Sequence, residues 1–230
     1  MPKLSAYYAC YKNRKAIEFV LSNFRKFFPD VFICLISDGG DDFHDLADKY
    51  NTSYYYMNNL FQSGPINVYS SERMIEWWNR QKIVCDISQS DYTILLEDDV
   101  YTLNNFKIND NFSLKGVTKH RTNLFTSKMS DDIRSASKID NDYYGMCGGS
   151  IYNSKIFKDI YNDVIRDIKN NHDNLINNNF NDYYKLGAVD ANITYHFNKR
   201  GYEYMDAEWL TEDKNITNKP MIHGWKEHYV

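Results

Sequence analysis

Three carboxylates stand side by side at Glu97-Asp98-Asp99, directly after the apolar run Tyr92-Thr93-Ile94-Leu95-Leu96. The run has the length and composition of a buried strand. Three adjacent like charges at a strand end repel one another, and a counter-charge relieves them. Hard oxygen ligands of this kind suit Mg²⁺ or Mn²⁺. A metal held there could bridge a diphosphate and neutralise the charge on a departing nucleoside diphosphate. A solvated acidic turn is the competing reading of the cluster taken alone.

The elements that position these residues follow from periodicity. Residues 3–10 read as a first strand. Lys12-Asn13-Arg14 opens a helix with Ala16, Ile17, Val20, Leu21, Phe24 and Phe28 on one face, ended by Pro29-Asp30. Residues 31–36 form a continuous apolar strand, as strands buried on both faces do, and run into the turn Ser37-Asp38-Gly39-Gly40-Asp41-Asp42. A short helix near 42–49 and a strand near 53–57 come next. After a loop at 58–69, Ser70 or Ser71 caps a helix to about 88 with Met74, Trp77, Trp78, Gln81, Val84 and Cys85 inward. The order β-α-β-α-β-α-β predicts a mainly parallel sheet with helices on both faces. Ligands of such sheets bind beyond the carboxyl ends of the strands. Tyr11 to Arg14, Asp38 and Glu97-Asp98-Asp99 all fall there.

The second half is less regular. Short strands are expected near 114–118 and 122–126. Gly145 to Tyr152 joins a glycine-rich turn to a strand. Ser154 is expected to cap a helix to about 170, and a helix near 187–199 carries Asp190 and stops at Gly201. Residues 202–205 read as a strand, and 206–230 show little periodicity. With no repeat and no Pro-rich linker, the 230 residues are expected to form a single domain of two functional halves, 1–100 and 101–230.

Composition narrows the partners. Apolar residues make up 43% of the chain and charged residues 25%, which argues against global disorder. A formal net charge of −4 with no long basic block argues against nucleic acid as a partner. The 20 tyrosines suit sugar and base faces as well as core. Cys10, Cys34, Cys85 and Cys147 form no CxxC pair and read as reduced core thiols. No signal-peptide stretch and no apolar run near the roughly 20 residues of a membrane span appears, so a cytoplasmic protein without a transmembrane segment is expected. Asn runs with much Lys, Ile and Tyr suggest an AT-rich genome, viral or otherwise.

Several motifs, in order, resemble those of the GT-A-fold glycosyltransferases, which use nucleotide-sugar donors. Tyr11-Lys12-Asn13-Arg14 is similar to the Tyr-Asn-Arg segment of that family, with Lys12 inserted. Ser37 to Asp42 is similar to its Asp-Gly-Ser-x-Asp turn. Ile94 to Val100 resembles its metal-binding DxD region in a Glu-Asp-Asp version. Gly148-Gly149-Ser150 resembles the loop below the donor sugar. Gly187-Ala188-Val189-Asp190 sits where many inverting members carry an acidic base, although the usual acidic pair is here Val189-Asp190.

The resemblance implies a α/β GT-A sheet and transfer of a hexose or N-acetylhexosamine from a UDP- or GDP-sugar. The acceptor would be a hydroxyl on a glycan, a protein or a small molecule. It implies that Asp99 ligates Mn²⁺ or Mg²⁺, with His223 completing the site. Glu97 and Asp98 would touch ribose or the water shell of the metal. Asp38 would accept hydrogen bonds from ribose or base, and Tyr11 would stack on the base. Arg14, Gly148 and Gly149 would line the donor, and Arg80, with Lys82, would meet phosphate. Asp190 would be the general base of an inverting displacement, with Asp182 and Glu208 as rival carboxylates. Trp209 and Trp225 would offer a stacking face or core.

Two other classes compete. A nucleotidyltransferase of related design usually carries a glycine-rich loop after its first strand, which Ala9-Cys10-Tyr11-Lys12-Asn13 lacks. An inactive glycan-binding or scaffold protein would gain no thermal stability from nucleotide sugar and Mn²⁺.

Overall fold

A computed structural model describes residues 2–57, 70–117, 146–178, 189–216 and 218–224, the side chains of 175–178 and 191 aside. The expected strand at 122–126, together with Asp182, Gly187, Ala188, Trp225 and His228, lies outside the described residues.

Strand β1 spans Leu4–Cys10, β2 Phe32–Asp38, β3 Ser53–Met57 and β4 Tyr92–Leu96. All four are mutually parallel, in the order β3-β2-β1-β4. The short strands β6 (Leu114–Gly116), β7 (Ile151–Asn153) and β8 (Tyr204–Asp206) extend the sheet as β4-β7-β6-β8. Strand β7 runs antiparallel to both β4 and β6, and β8 runs parallel to β6. The seven-stranded sheet thus draws strands from both halves of the chain. A second, three-stranded sheet joins β5 (Tyr101–Thr102), β10 (Met221–Ile222) and β9 (Leu210–Thr211).

Side chains alternate across the main sheet, because successive strand residues point to opposite faces. On one face Ala6, Tyr8, Ile33, Leu35, Ile94 and Leu96 pack against helix α1 (Arg14–Phe27) and helix α2 (His44–Lys49). On the other, Tyr7, Cys34, Ile36 and Leu95 pack against α3 (Ser71–Ser88), α4 (Ser154–Asn178) and α5 (Val189–Lys199). Helices therefore cover both faces, as the alternating pattern implies. The apolar faces expected of α1 and α3 are the buried ones. Asn13 caps α1 by accepting from the Ala16 amide at 3.2 Å.

Three local expectations are corrected. Ser70 makes no side-chain cap bond; Asp173 of α4 accepts instead from the Ser71 amide at 2.8 Å. Ser154 does not cap α4 either. Asn153 accepts from the Lys155 and Ile156 amides at 3.0 Å, while Ser154 Oγ joins Thr93 in a buried hydroxyl cluster. Helix α4 also continues past 170 to Asn178. The Asp173 contact to Ser71 and the Thr93 contact to Ser154 are tertiary and invisible to local propensity. Strand β2 likewise runs two residues further than its apolar stretch, through Asp38.

All four cysteines are free and buried. No helix among the described residues is long and apolar enough to cross a membrane. The α3–α4 face is dominated by Phe157, which stacks on Trp78 at 4.6 Å and lies 5.0 Å from Tyr152. Phe157→Ala should cost about 3–5 kcal/mol, the range for emptying a fully buried aromatic position. Urea unfolding measures it, and a loss under 1 kcal/mol would contradict this packing.

Candidate active site

The carboxyl ends of β1, β2 and β4 meet on one side of the sheet, and the loops leaving them are tied together. The Asp41 amide donates to the Tyr11 carbonyl at 2.8 Å. Gly40 lies so close to Tyr11 that a Cβ there would fall 1.6 Å from that carbonyl oxygen. A glycine is therefore required for the β2 loop to close against the β1 loop.

Asp38, Glu97 and Asp190 line one pocket at these ends, with Tyr7, Ala9, Trp77, Leu95, Leu96 and Val189. Asp38 is buried and accepts from Arg80 Nη1 at 2.8 Å, while Arg80 Nε donates to Glu76 at 3.1 Å. Asp190 sits in the first turn of α5, where the helix dipole favours a negative charge. Its carbonyl accepts from the Met146 amide at 3.2 Å, linking α5 to the segment that leads into Gly148 and Gly149. The Trp78 indole donates to Asn192 at 2.9 Å and fixes α5 against α3.

The three cluster carboxylates have different surroundings. Asp98 is half-buried and accepts from the Tyr8 hydroxyl at 2.7 Å. Burial pushes its carboxyl up to about 6; the Tyr8 bond opposes this, while Asp99 and Glu97 add to it. Glu97 Oε2 and Asp99 Oδ1 instead converge on His223 Nε2, at 3.1 and 3.4 Å. His223 is buried, and its Nδ1 meets Glu212 Oε1 at 2.9 Å. Burial alone would lower the imidazole pKa. Cys147, Glu212 and Glu97 around it prevail and hold it well above its ordinary value. The ligand atoms of Glu97, Asp99 and His223 lie within 4.8 Å of one another, a set able to hold a metal ion.

The glycine-rich turn packs beside the end of β4. Gly149 adopts φ +88°, its amide donates to the Leu95 carbonyl at 2.7 Å, and its own carbonyl accepts from the Trp209 indole at 3.0 Å. Gly148 packs against the acidic cluster itself.

The other expected residues are not among those that line this pocket. Arg14 pairs with Asp45 on α2 and does not line the pocket. Tyr11 lies beside it in sequence, with Lys12 Nζ over its ring at 5.0 Å. Arg80 is buried between Asp38 and Glu76, and Lys82 pairs with Asp86 on its own helix. Glu208 holds Lys115 at 2.7 Å. Trp209 is core, stacked on Phe106 at 4.8 Å.

Glu212 and Tyr8 hold the site together, and neither stands out in the sequence. Strands β9 and β10 are two residues each, too short for a period, yet their parallel pairing brings Glu212 beside His223. Tyr8 reads only as a strand residue.

No protein-family model matches the sequence, and no curated protein matches it. Among solved structures the chain is similar to the galactosyltransferase LgtC, determined with donor and acceptor sugar analogues. The two share 15% identity at a TM-score of 0.52, over 95% of this chain and 86% of that one.

A Cβ on residue 148 would lie 2.5 Å from Val100 Cγ2, 3.0 Å from Glu97 Cβ and 3.1 Å from His223 Cδ2. Gly148→Ala should therefore destabilise the protein by about 1–3 kcal/mol, the usual cost of overpacking. Unchanged denaturant unfolding would contradict this close approach. With the architecture and these contacts in place, the chain has the mixed α/β, Rossmann-like fold of the GT-A glycosyltransferases.

Proposed function

We propose that the protein is a metal-dependent glycosyltransferase that moves a hexose or N-acetylhexosamine from a UDP- or GDP-sugar to an acceptor hydroxyl, with inversion. The observation that carries this reading is the shared pocket of Asp38, Glu97 and Asp190 at the carboxyl ends of the parallel strands. The likeness to a galactosyltransferase fold supports the same reaction class.

The donor set fits a hard divalent ion. Two carboxylates and one imidazole converge from β4, its following turn and β10, and Glu212 orients the imidazole from behind. Asp99, Glu97 and His223 would hold Mn²⁺ or Mg²⁺. When bound, the ion supplies positive charge against the leaving diphosphate. Asp98, fixed by Tyr8, keeps the turn in place.

Asp38 accepts hydrogen bonds from ribose or base, and the buried Arg80 holds its carboxylate in position. Asp190 takes the proton from the acceptor hydroxyl as that oxygen bonds to the anomeric carbon. The bond from that carbon to the phosphate oxygen breaks, and the nucleoside diphosphate leaves with the electron pair.

Thermal melting with UDP-, GDP- and CMP-sugars, each with and without Mn²⁺, tests the donor half. A rise that needs both nucleotide and metal is expected, because a ligand of the native state stabilises it. No rise with any pair would contradict the proposal. Asp190→Asn should keep that rise and lower transfer by at least about 100-fold, the lower end for loss of a general base. Near-normal transfer, or a product of retained configuration, would remove Asp190 from its role.

A further inference from the structure

His223 lies between two acidic faces. Nε2 looks toward Glu97 and Asp99, and Nδ1 toward Glu212. Cys147 also neighbours this ring and Glu212. Its thiol, a Glu212 carboxylate oxygen and a His223 ring nitrogen lie within 4.8 Å of one another. Cys147 and His223 are buried, and the Glu212 side chain is 17% exposed. This grouping sets Cys147 apart. Among the described residues, Cys10, Cys34 and Cys85 belong to no such set.

The two sides differ in ligand softness. Carboxylates with one imidazole suit Mn²⁺ or Mg²⁺, whereas a thiolate with imidazole and carboxylate suits Zn²⁺. Zinc bonds of about 2.3 Å to sulfur and about 2.0–2.2 Å to nitrogen and oxygen place tetrahedral ligands roughly 3.3–3.7 Å apart. The Nδ1 to Oε1 separation of 2.9 Å is a hydrogen bond, so these two atoms need to part by only a few tenths of an ångström. Three protein ligands leave a fourth position open.

We propose that Cys147, Glu212 and His223 form a binding site for Zn²⁺, adjacent to the hard-oxygen set and sharing its imidazole. On binding, the thiol gives up its proton to solvent as sulfur bonds to the ion. A proton on the ring nitrogen that binds is displaced in the same way. The ion takes over the partner that orients His223, so Zn²⁺ weakens Mn²⁺ binding on the Nε2 side. The site needs only these three side chains and stands whether or not the protein is a glycosyltransferase.

Co²⁺, a coloured surrogate for Zn²⁺, tests this in the metal-free full chain without nucleotide. Wild type should show a thiolate-to-cobalt absorption band that one equivalent of Zn²⁺ abolishes. Cys147→Ser should lose the band, and Asp99→Asn should keep it. Glu212→Gln, at a part-exposed position, should retain the band with Co²⁺ affinity lowered about tenfold. A missing band in wild type would overturn the proposal, as would one that survives Cys147→Ser or disappears in Asp99→Asn. Unchanged affinity in Glu212→Gln would overturn it too. Failure of the nucleotide-sugar melting experiment would leave this cobalt result unaffected, so the two readings fail separately.

Discussion

Crowded negative charge at the end of β4 is the constraint around which the site is built. Two unit charges about 4 Å apart interact by roughly 4 kcal/mol at the effective dielectric near a protein surface. Three adjacent carboxylates therefore need distinct solutions. Asp98 is half-buried beneath the Tyr8 hydroxyl, which holds it while its proton affinity rises. Glu97 and Asp99 face a single imidazole. That imidazole is backed by a further carboxylate, Glu212, so the assembly remains acid-rich. A divalent cation meets this excess directly, whereas one proton on His223 meets it in part. The small second sheet has a clear purpose in this light. Its pairing carries His223 and Glu212 from the end of the chain to the end of β4.

The neighbouring strand end solves its charge internally. Asp38 and Arg80 are both buried and bonded, with Glu76 on the remaining guanidinium edge. Removing one partner of such a pair typically costs about 3–5 kcal/mol, because the other charge is left buried. Arg80 thus fixes the pocket wall. The difference between the two strand ends is instructive. Asp38 comes with its own cation, and the β4 cluster comes with a histidine backed by a further carboxylate.

The sequence made the frame legible where periodicity reaches several turns or a full strand. The faces of α1 and α3, the alternation through β4 and the placement of Asp38 and Glu97-Asp98-Asp99 at strand ends all follow from it. Long-range partners were not legible. Arg80 reads as a helix cation open to phosphate, because nothing local reveals that Asp38, 42 residues earlier, buries it. Asn153 caps α4 because Ser154 is drawn to Thr93 on β4. Glu212 escapes notice because two-residue strands carry no pattern. Cys147 reads as a core thiol, and it is buried, but its neighbours are an imidazole and a carboxylate.

Glu97, Asp99 and His223 together are proposed to bind a hard divalent cation. Electron paramagnetic resonance of Mn²⁺ titrated with the protein in the presence of UDP measures it directly, because the sharp signal of free Mn²⁺ is lost on binding. Wild type should remove that signal in a saturable, one-site titration, and Asp99→Asn and His223→Ala should leave it close to that of free Mn²⁺. A wild-type protein that leaves the signal unchanged, or variants that bind as tightly as wild type, would contradict the account.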